Sequence, residues 1–151
     1  MKRPSVRVVC VDIADRVLLL RWRDPFDGSI LWEPPGGGVE EGETDREAAL
    51  RELAEETGLT PDDFEDRPTS VHCDLWWNGR HLVGVEPYYL ARFGTDRPPL
   101  QSDGLLDYEV ASLTGHEWVP WNEVDDLDGT VQPPDLAAVL RRLDPSGPWN
   151  A

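Results

Sequence analysis

One stretch constrains this chain more than any other. Between Gly37 and Leu59 a glycine-rich loop runs into a helix whose two ends are both written in the sequence. Thr44 as N-cap and Glu47 at the third helical position form a capping-box pair. Each side chain can satisfy a backbone N–H that the first turn leaves without a partner. Gly58 supplies the left-handed residue that ends the helix, and Ala48, Ala49, Leu53 and Ala54 give it an apolar side. At about 100° per residue, Glu52, Glu55 and Glu56 fall within an arc of roughly 100°. Like charges at that spacing weaken a helix, so stability alone does not account for the pattern. A hard divalent cation removes the conflict, because Mg²⁺ takes oxygen ligands and often shares them with phosphates. A solvated acidic face is the ordinary reading of a Glu-rich helix. The glycines before this one favour the cation, since their backbone can approach a ligand closely and their carbonyls can join a metal shell.

The elements around this stretch follow from pattern. Val6 to Asp12 and Val17 to Trp22 read as strands joined by a turn at Ala14-Asp15, and residues 24–28 read as a loop. Prolines and glycines in Trp32-Glu33-Pro34-Pro35-Gly36-Gly37-Gly38 predict irregular backbone. Val71 to Trp77 and Arg80 to Phe93 flank Asn78-Gly79, a strong hairpin signal, with Pro87 expected at a bulge or an edge. Glu117 to Trp121 reads as a short strand. Pro133-Pro134-Asp135 is expected to open a last helix through Leu143. Strands, helix, strands, helix indicate one α+β domain over residues 1–151.

Charge and cysteine content exclude several function classes. The 151 residues hold 30 Asp+Glu against 14 Lys+Arg, a formal net charge of -16. Tracking a phosphate backbone needs clustered Lys and Arg, so a nucleic-acid groove is not expected; nor is a polybasic membrane surface. No apolar run approaches the ~18 residues of a membrane helix, and Met1-Lys2-Arg3-Pro4 has no apolar segment behind it. Cys10 and Cys73 both fall in predicted strands, which favours buried thiols and a cytoplasmic setting.

The stretch from Gly37 to Leu59 resembles the Nudix box. Gly37, Glu43, Arg51-Glu52-Leu53, Glu55-Glu56 and Gly58-Leu59 fill every fixed position of that pattern. The resemblance implies the Nudix fold, a mixed β-sheet sandwiched between helices in an α/β/α arrangement. It implies a Nudix pyrophosphohydrolase that cleaves a diphosphate linkage in a nucleoside diphosphate joined to another moiety, with Mg²⁺ (or Mn²⁺) as cofactor. By position, Glu52 and Glu56 match the principal metal ligands, with Glu55 assisting and the backbone carbonyl of Gly36 as a further ligand. Arg51 and Glu43 match the orienting pair. The general base varies among subfamilies. The candidates here are Glu52 and Glu55 in the box and Glu109 in a later segment, with Glu117 as a weaker choice there.

Substrate contacts are less marked. Arg23, after the second strand, is a candidate phosphate contact. Trp22, Trp32, Trp76 and Trp77 are candidate stacking platforms or core residues, and the adjacent pair must point to opposite faces of a strand. Markers of particular Nudix subfamilies are mostly absent, which leaves the chain most like the MutT-like or unassigned members. The expected partner is a small nucleotide or diphosphate rather than a nucleic-acid polymer, with a homodimer possible in such a family. A non-catalytic nucleotide sensor is the alternative. It is disfavoured by retention of all four box glutamates. An isoprenoid diphosphate isomerase is disfavoured because Cys73 lacks the expected setting.

Overall fold

The computed structural model describes residues 5–101 and 112–150. Its framework is a mixed sheet of nine strands among those residues. β1 (Ser5–Val11), β2 (Arg16–Arg23), β3 (Ile30–Glu33) and β4 (Gly36–Gly38) precede helix α1 (Asp45–Thr57). β5 (Asp63–Phe64), β6 (Thr69–Trp77), β7 (Arg80–Arg92), β8 (Leu113–Pro120) and β9 (Thr130–Val131) follow, and α2 (Leu136–Leu143) comes last of the regular helices. The main path runs β5-β7-β1-β2-β3-β9, with β4 on β1, β6 on β7 and β8 on β2. β1 lies parallel to β7, as β3 does to β9, and the other pairs are antiparallel.

β1 is buried on both sides, as its run of β-branched residues requires. Val6, Val8 and Cys10 pack with Ala48, Ala49 and Leu53 of α1. Val9 and Val11 belong to a second core with Leu136, Val139, Leu140 and Leu143 of α2. The sheet is therefore covered by one helix on each face, the α/β/α layering expected. Ala54 departs from expectation and lies exposed. Both cysteines are buried free thiols. No helix among the described residues is long and apolar enough to cross a membrane.

The hairpin is as read: Asn78 and Gly79 both take positive φ, 52° and 73°, as a two-residue turn between twisted strands demands. Pro87 pairs with Ser70 in an unbroken β6–β7 register. It stands one residue before β1 joins the other side of β7 at Tyr88, so it occupies an edge rather than a bulge.

Two expectations are corrected. The Trp32–Gly38 segment is not irregular throughout. β3 runs to Glu33 and stops at the prolines, and the three glycines form β4, with Ser5↔Gly38, Val6↔Gly37 and Arg7↔Gly36 in register. β2 meets β1 only at Val11↔Val17, which leaves the other end of β1 open for β4. Glycine permits the close approach: a Cβ at Gly36 would stand 2.1 Å from the Val6 carbonyl oxygen. The last helix starts at Leu136, because the Asp135 carboxylate caps it by accepting from the Ala138 N–H at 3.1 Å. Pro133 and Pro134 therefore lie outside it.

Candidate active site

Helix α1 is fixed at both ends as its sequence specifies. Thr44 and Glu47 make the reciprocal capping box, and Gly58 leaves the helix at φ 72°. With β4 held against β1, the glycine loop is brought onto the last turns of this helix. The Gly36 N–H donates to Glu56 Oε1 at 2.7 Å. Gly37 lies so close to Glu52 that a Cβ there would stand 2.4 Å from the carboxylate. A side chain at 37 would therefore displace the Glu52 carboxylate from its place against β4.

Arg51 organises the remaining charges. Its Nε donates to Glu43 Oε2 at 2.6 Å and its Nη2 to Glu43 Oε1 at 3.0 Å, a bidentate pair. Nη2 also donates to the Gly38 carbonyl at 2.8 Å, tying the helix to β4. Nη1 reaches Glu52 at 2.9 Å and Glu55 at 3.2 Å. The Arg51 guanidinium holds the Glu43 carboxyl below its usual range. The repulsion read from the sequence is thus relieved in part by an internal cation.

Glu56 is different, being only 3% exposed. Burial pushes its carboxyl well above the ordinary range, with the neighbouring charges of Glu33 and Glu52 adding. The Arg7 charge and the Gly36 N–H pull the other way. Arg7 sits among carboxylates, with Nη1 at 3.2 Å from Glu33 and Nε at 3.6 Å from Glu86. Burial opposes its charge, but Glu33, Glu86 and Glu56 keep the guanidinium protonated.

These groups line one cleft of about 410 Å³, with Gly36, Gly37 and Glu56 at one part and Trp22, Leu75 and Trp77 among its apolar walls. That volume lies in the usual range for small-ligand sites. Among the described residues, no group of three or more His, Cys, Asp or Glu side chains is already arranged around a metal position. The donors nonetheless suit a hard cation. Glu52, Glu55, Glu56 and the Gly36 carbonyl offer only oxygen. Glu56, buried against a single backbone N–H and the nearby Arg7 charge, is a carboxylate for which further positive charge is favourable.

Of the residues singled out by sequence, Glu43, Arg51, Glu52, Glu55, Glu56 and Gly36 are brought together. Glu109 lies outside the described residues. Arg23 is exposed at the end of β2, in a separate hollow with Asp24, Pro25 and Phe26; among the described residues this hollow and the main cleft share Ser112 in their linings. Trp32 is locked in the α2-side core, its Nε1 donating to the Asp128 carbonyl. Trp76 is exposed and stacked on His81, while Trp77 packs inward. Arg7, Glu33 and Glu86 were not anticipated. Their signal in the sequence is a charged residue within or beside an apolar strand, such as Arg7 between Val6 and Val8.

Comparison with known proteins places this geometry in a family. The NUDIX domain model matches residues 1–143. The RNA pyrophosphohydrolase of Erythrobacter litoralis is 36% identical over 115 residues, covering 68% of this chain and 65% of that protein, so the chain spans about two thirds of this relative. That of Dinoroseobacter shibae is 33% identical over 140 residues, covering 85% and 82%. Among solved structures, the dihydroneopterin triphosphate pyrophosphohydrolase of E. coli superposes with a TM-score of 0.65 at 18% identity, covering 97% of this chain and all of that one; this likeness concerns the fold. With a filled box, a loop–helix cradle and a matching fold, the chain belongs to the NUDIX family.

Proposed function

We propose that the chain is a metal-dependent pyrophosphohydrolase acting on a nucleotide or nucleotide derivative that carries a diphosphate linkage. The observation that carries this reading is the contact of the β4 glycines with the box helix, which puts Gly36 on Glu56 and Gly37 on Glu52. Glu52, Glu56 and the Gly36 carbonyl would hold Mg²⁺ or Mn²⁺, with Glu55 completing the set. Such a cation neutralises phosphate charge and lowers the pKa of a bound water.

The remaining roles belong to the chain. Glu52, against the cleft-lining Gly37, accepts the proton of the attacking water. Glu55 is more exposed than Glu52 or Glu56 and assists. Arg51, anchored on Glu43 and Gly38, holds Glu52 and Glu55 in place through Nη1 until the substrate complex forms. The apolar wall takes the part of the substrate that carries no phosphate. Mg²⁺-dependent release of phosphate or nucleoside monophosphate from a panel of nucleotides tests this reading. Activity should vanish with EDTA and return with Mg²⁺. A protein that binds nucleotides tightly and turns over none of the panel is instead a sensor.

A second substrate reading is favoured by the relatives named RNA pyrophosphohydrolase. The net charge of -16 disfavours a groove that follows a phosphate backbone, but a cleft that admits only a 5′ end needs no such groove. A 5′-triphosphorylated oligonucleotide belongs in the panel. Preference for it over the free triphosphate would assign the RNA end as substrate.

A further inference from the structure

Much of the apolar wall of the cleft is an arm. Between Arg80 and Pro87, β7 pairs with β6 alone among the described residues, and β1 joins it from Tyr88 onward. The β6–β7 ribbon therefore leaves the sheet at Tyr88. One side of it supplies Cys73, Leu75, Trp77 and Leu82 to the cleft. On the other side Trp76, stacked on His81, is 68% exposed. A two-stranded ribbon is marginally stable by itself, so its place over the cleft depends on what holds its ends.

One end is the sheet. The other is the Asn78-Gly79 turn, which is fastened to the loop after β2. The Asn78 N–H donates to Asp24 Oδ1 and Oδ2, both at 3.1 Å. The Phe26 ring lies against Gly79, where a Cβ would stand 3.2 Å from it. Asp24 is 3% exposed, and burying a carboxylate is costly unless donors compensate. An aspartate that only closed its own turn would need the Phe26 N–H, which Oδ1 accepts at 2.8 Å. Asp24 serves the hairpin as well. It is not among the lining residues of the cleft. Its reach to the cleft is through Trp77, which immediately precedes Asn78 in the chain.

We propose that Asp24 is a positioning residue for the substrate. By clasping the tip of the arm to the loop after β2, it holds Trp77 and the apolar wall at the spacing that the phosphate-free part of the substrate occupies. The proposal rests on the nucleotide reading above, to which it adds a residue outside the cleft. Hydrogen exchange of the full chain without ligand, paired with steady-state kinetics on the Mg²⁺ complexes of ATP, GTP, CTP and UTP, tests it. Asp24→Ala should speed exchange of the Asn78 amide and of the arm amides at 80–86, while α1 keeps its parental rates. It should raise KM about tenfold with kcat within about twofold of the parent, the pattern of binding lost equally from ground and transition states. Asp24→Asn keeps one oxygen for both N–H groups and should fall between the two. Phe26 is 72% exposed, so Phe26→Ala keeps the fold and should move exchange and KM in the same direction. A folded Asp24→Ala chain with parental KM or parental arm exchange overturns the proposal; if that variant does not fold, parental values of both in Phe26→Ala overturn it. Turnover by the parent with KM unmoved in the variants removes the role of Asp24 alone. A parent that hydrolyses none of the four nucleotides removes the hydrolase reading for them and the substrate role with it, while arm exchange still decides the clasp.

Discussion

At the scale of single residues, the box separates two kinds of glutamate. Glu52 and Glu55 share the Arg51 guanidinium, so their charge is compensated in part before any cation arrives. Glu56 is buried and carries a raised carboxyl. Gln at 56 keeps an oxygen to accept from the Gly36 N–H and removes the charge that burial penalises. Glu56→Gln is therefore expected to leave cation-free stability within about 1 kcal/mol of the parent, or above it, while Mg²⁺-dependent turnover is lost. Thermal unfolding in EDTA together with a kinetic assay checks both halves; a large loss of stability would show that Glu56 is structural. Glu52→Gln is expected to cost about 10²–10⁴ in kcat, measured at saturating Mg²⁺ so that a weaker cation site does not mimic the loss of the base. The residues behind these predictions were legible because the box is local: Glu43 to Glu56 lie on one helix and its lead-in. Arg7, Glu33 and Glu86 were not, because strand register, not sequence distance, brings them together.

At the scale of elements, turns and caps carry the local predictions. The α1 capping box was written in Thr44 and Glu47, and the structure contains both of its bonds. Thr44→Ala is expected to cost about 1 kcal/mol, read from chemical denaturation. The β1–β2 turn is held by a buried carboxylate. Asp12, 3% exposed, accepts from the Ala14, Arg16 and Arg97 N–H groups at 3.0, 2.8 and 3.0 Å and from the Arg16 guanidinium. Burial pushes the Asp12 carboxyl up, but these donors outweigh it and hold it below the ordinary range. A carboxyl depressed in the folded state contributes stability above its unfolded pKa and loses it as pH falls through the folded one. Asp12→Asn should therefore destabilise by about 1–3 kcal/mol at neutral pH. The difference should shrink progressively below about pH 4. A constant difference across that range would assign the loss to packing rather than charge. The elements that sequence reading missed have the same origin as the missed residues. Gly36–Gly38 has no strand propensity of its own and is a strand because β1 offers an unfilled edge. α2 starts late because Asp135, rather than a proline, supplies its cap.

At the scale of the whole molecule, the net charge of -16 becomes a statement about what the fold waits for. The 23 residues from Gly37 to Leu59 hold eight acidic side chains against two arginines, and the fold packs this segment onto the glycines of β4. Charge concentrated in this way destabilises the compact state unless cations answer it, and Arg51 answers only part. A cation that binds the folded cradle and not the unfolded chain stabilises by mass action, about 2.7 kcal/mol when present at a hundred times its Kd. For a domain of this size that corresponds to a rise in Tm of roughly 5–10 °C. General screening of surface charge would act through ionic strength alone. Mg²⁺ should therefore raise Tm well beyond NaCl at matched ionic strength, and Glu56→Gln should abolish the excess while keeping the NaCl response. If Mg²⁺ and NaCl act alike on the parent chain, the acidic segment is a solvated surface and not a cradle.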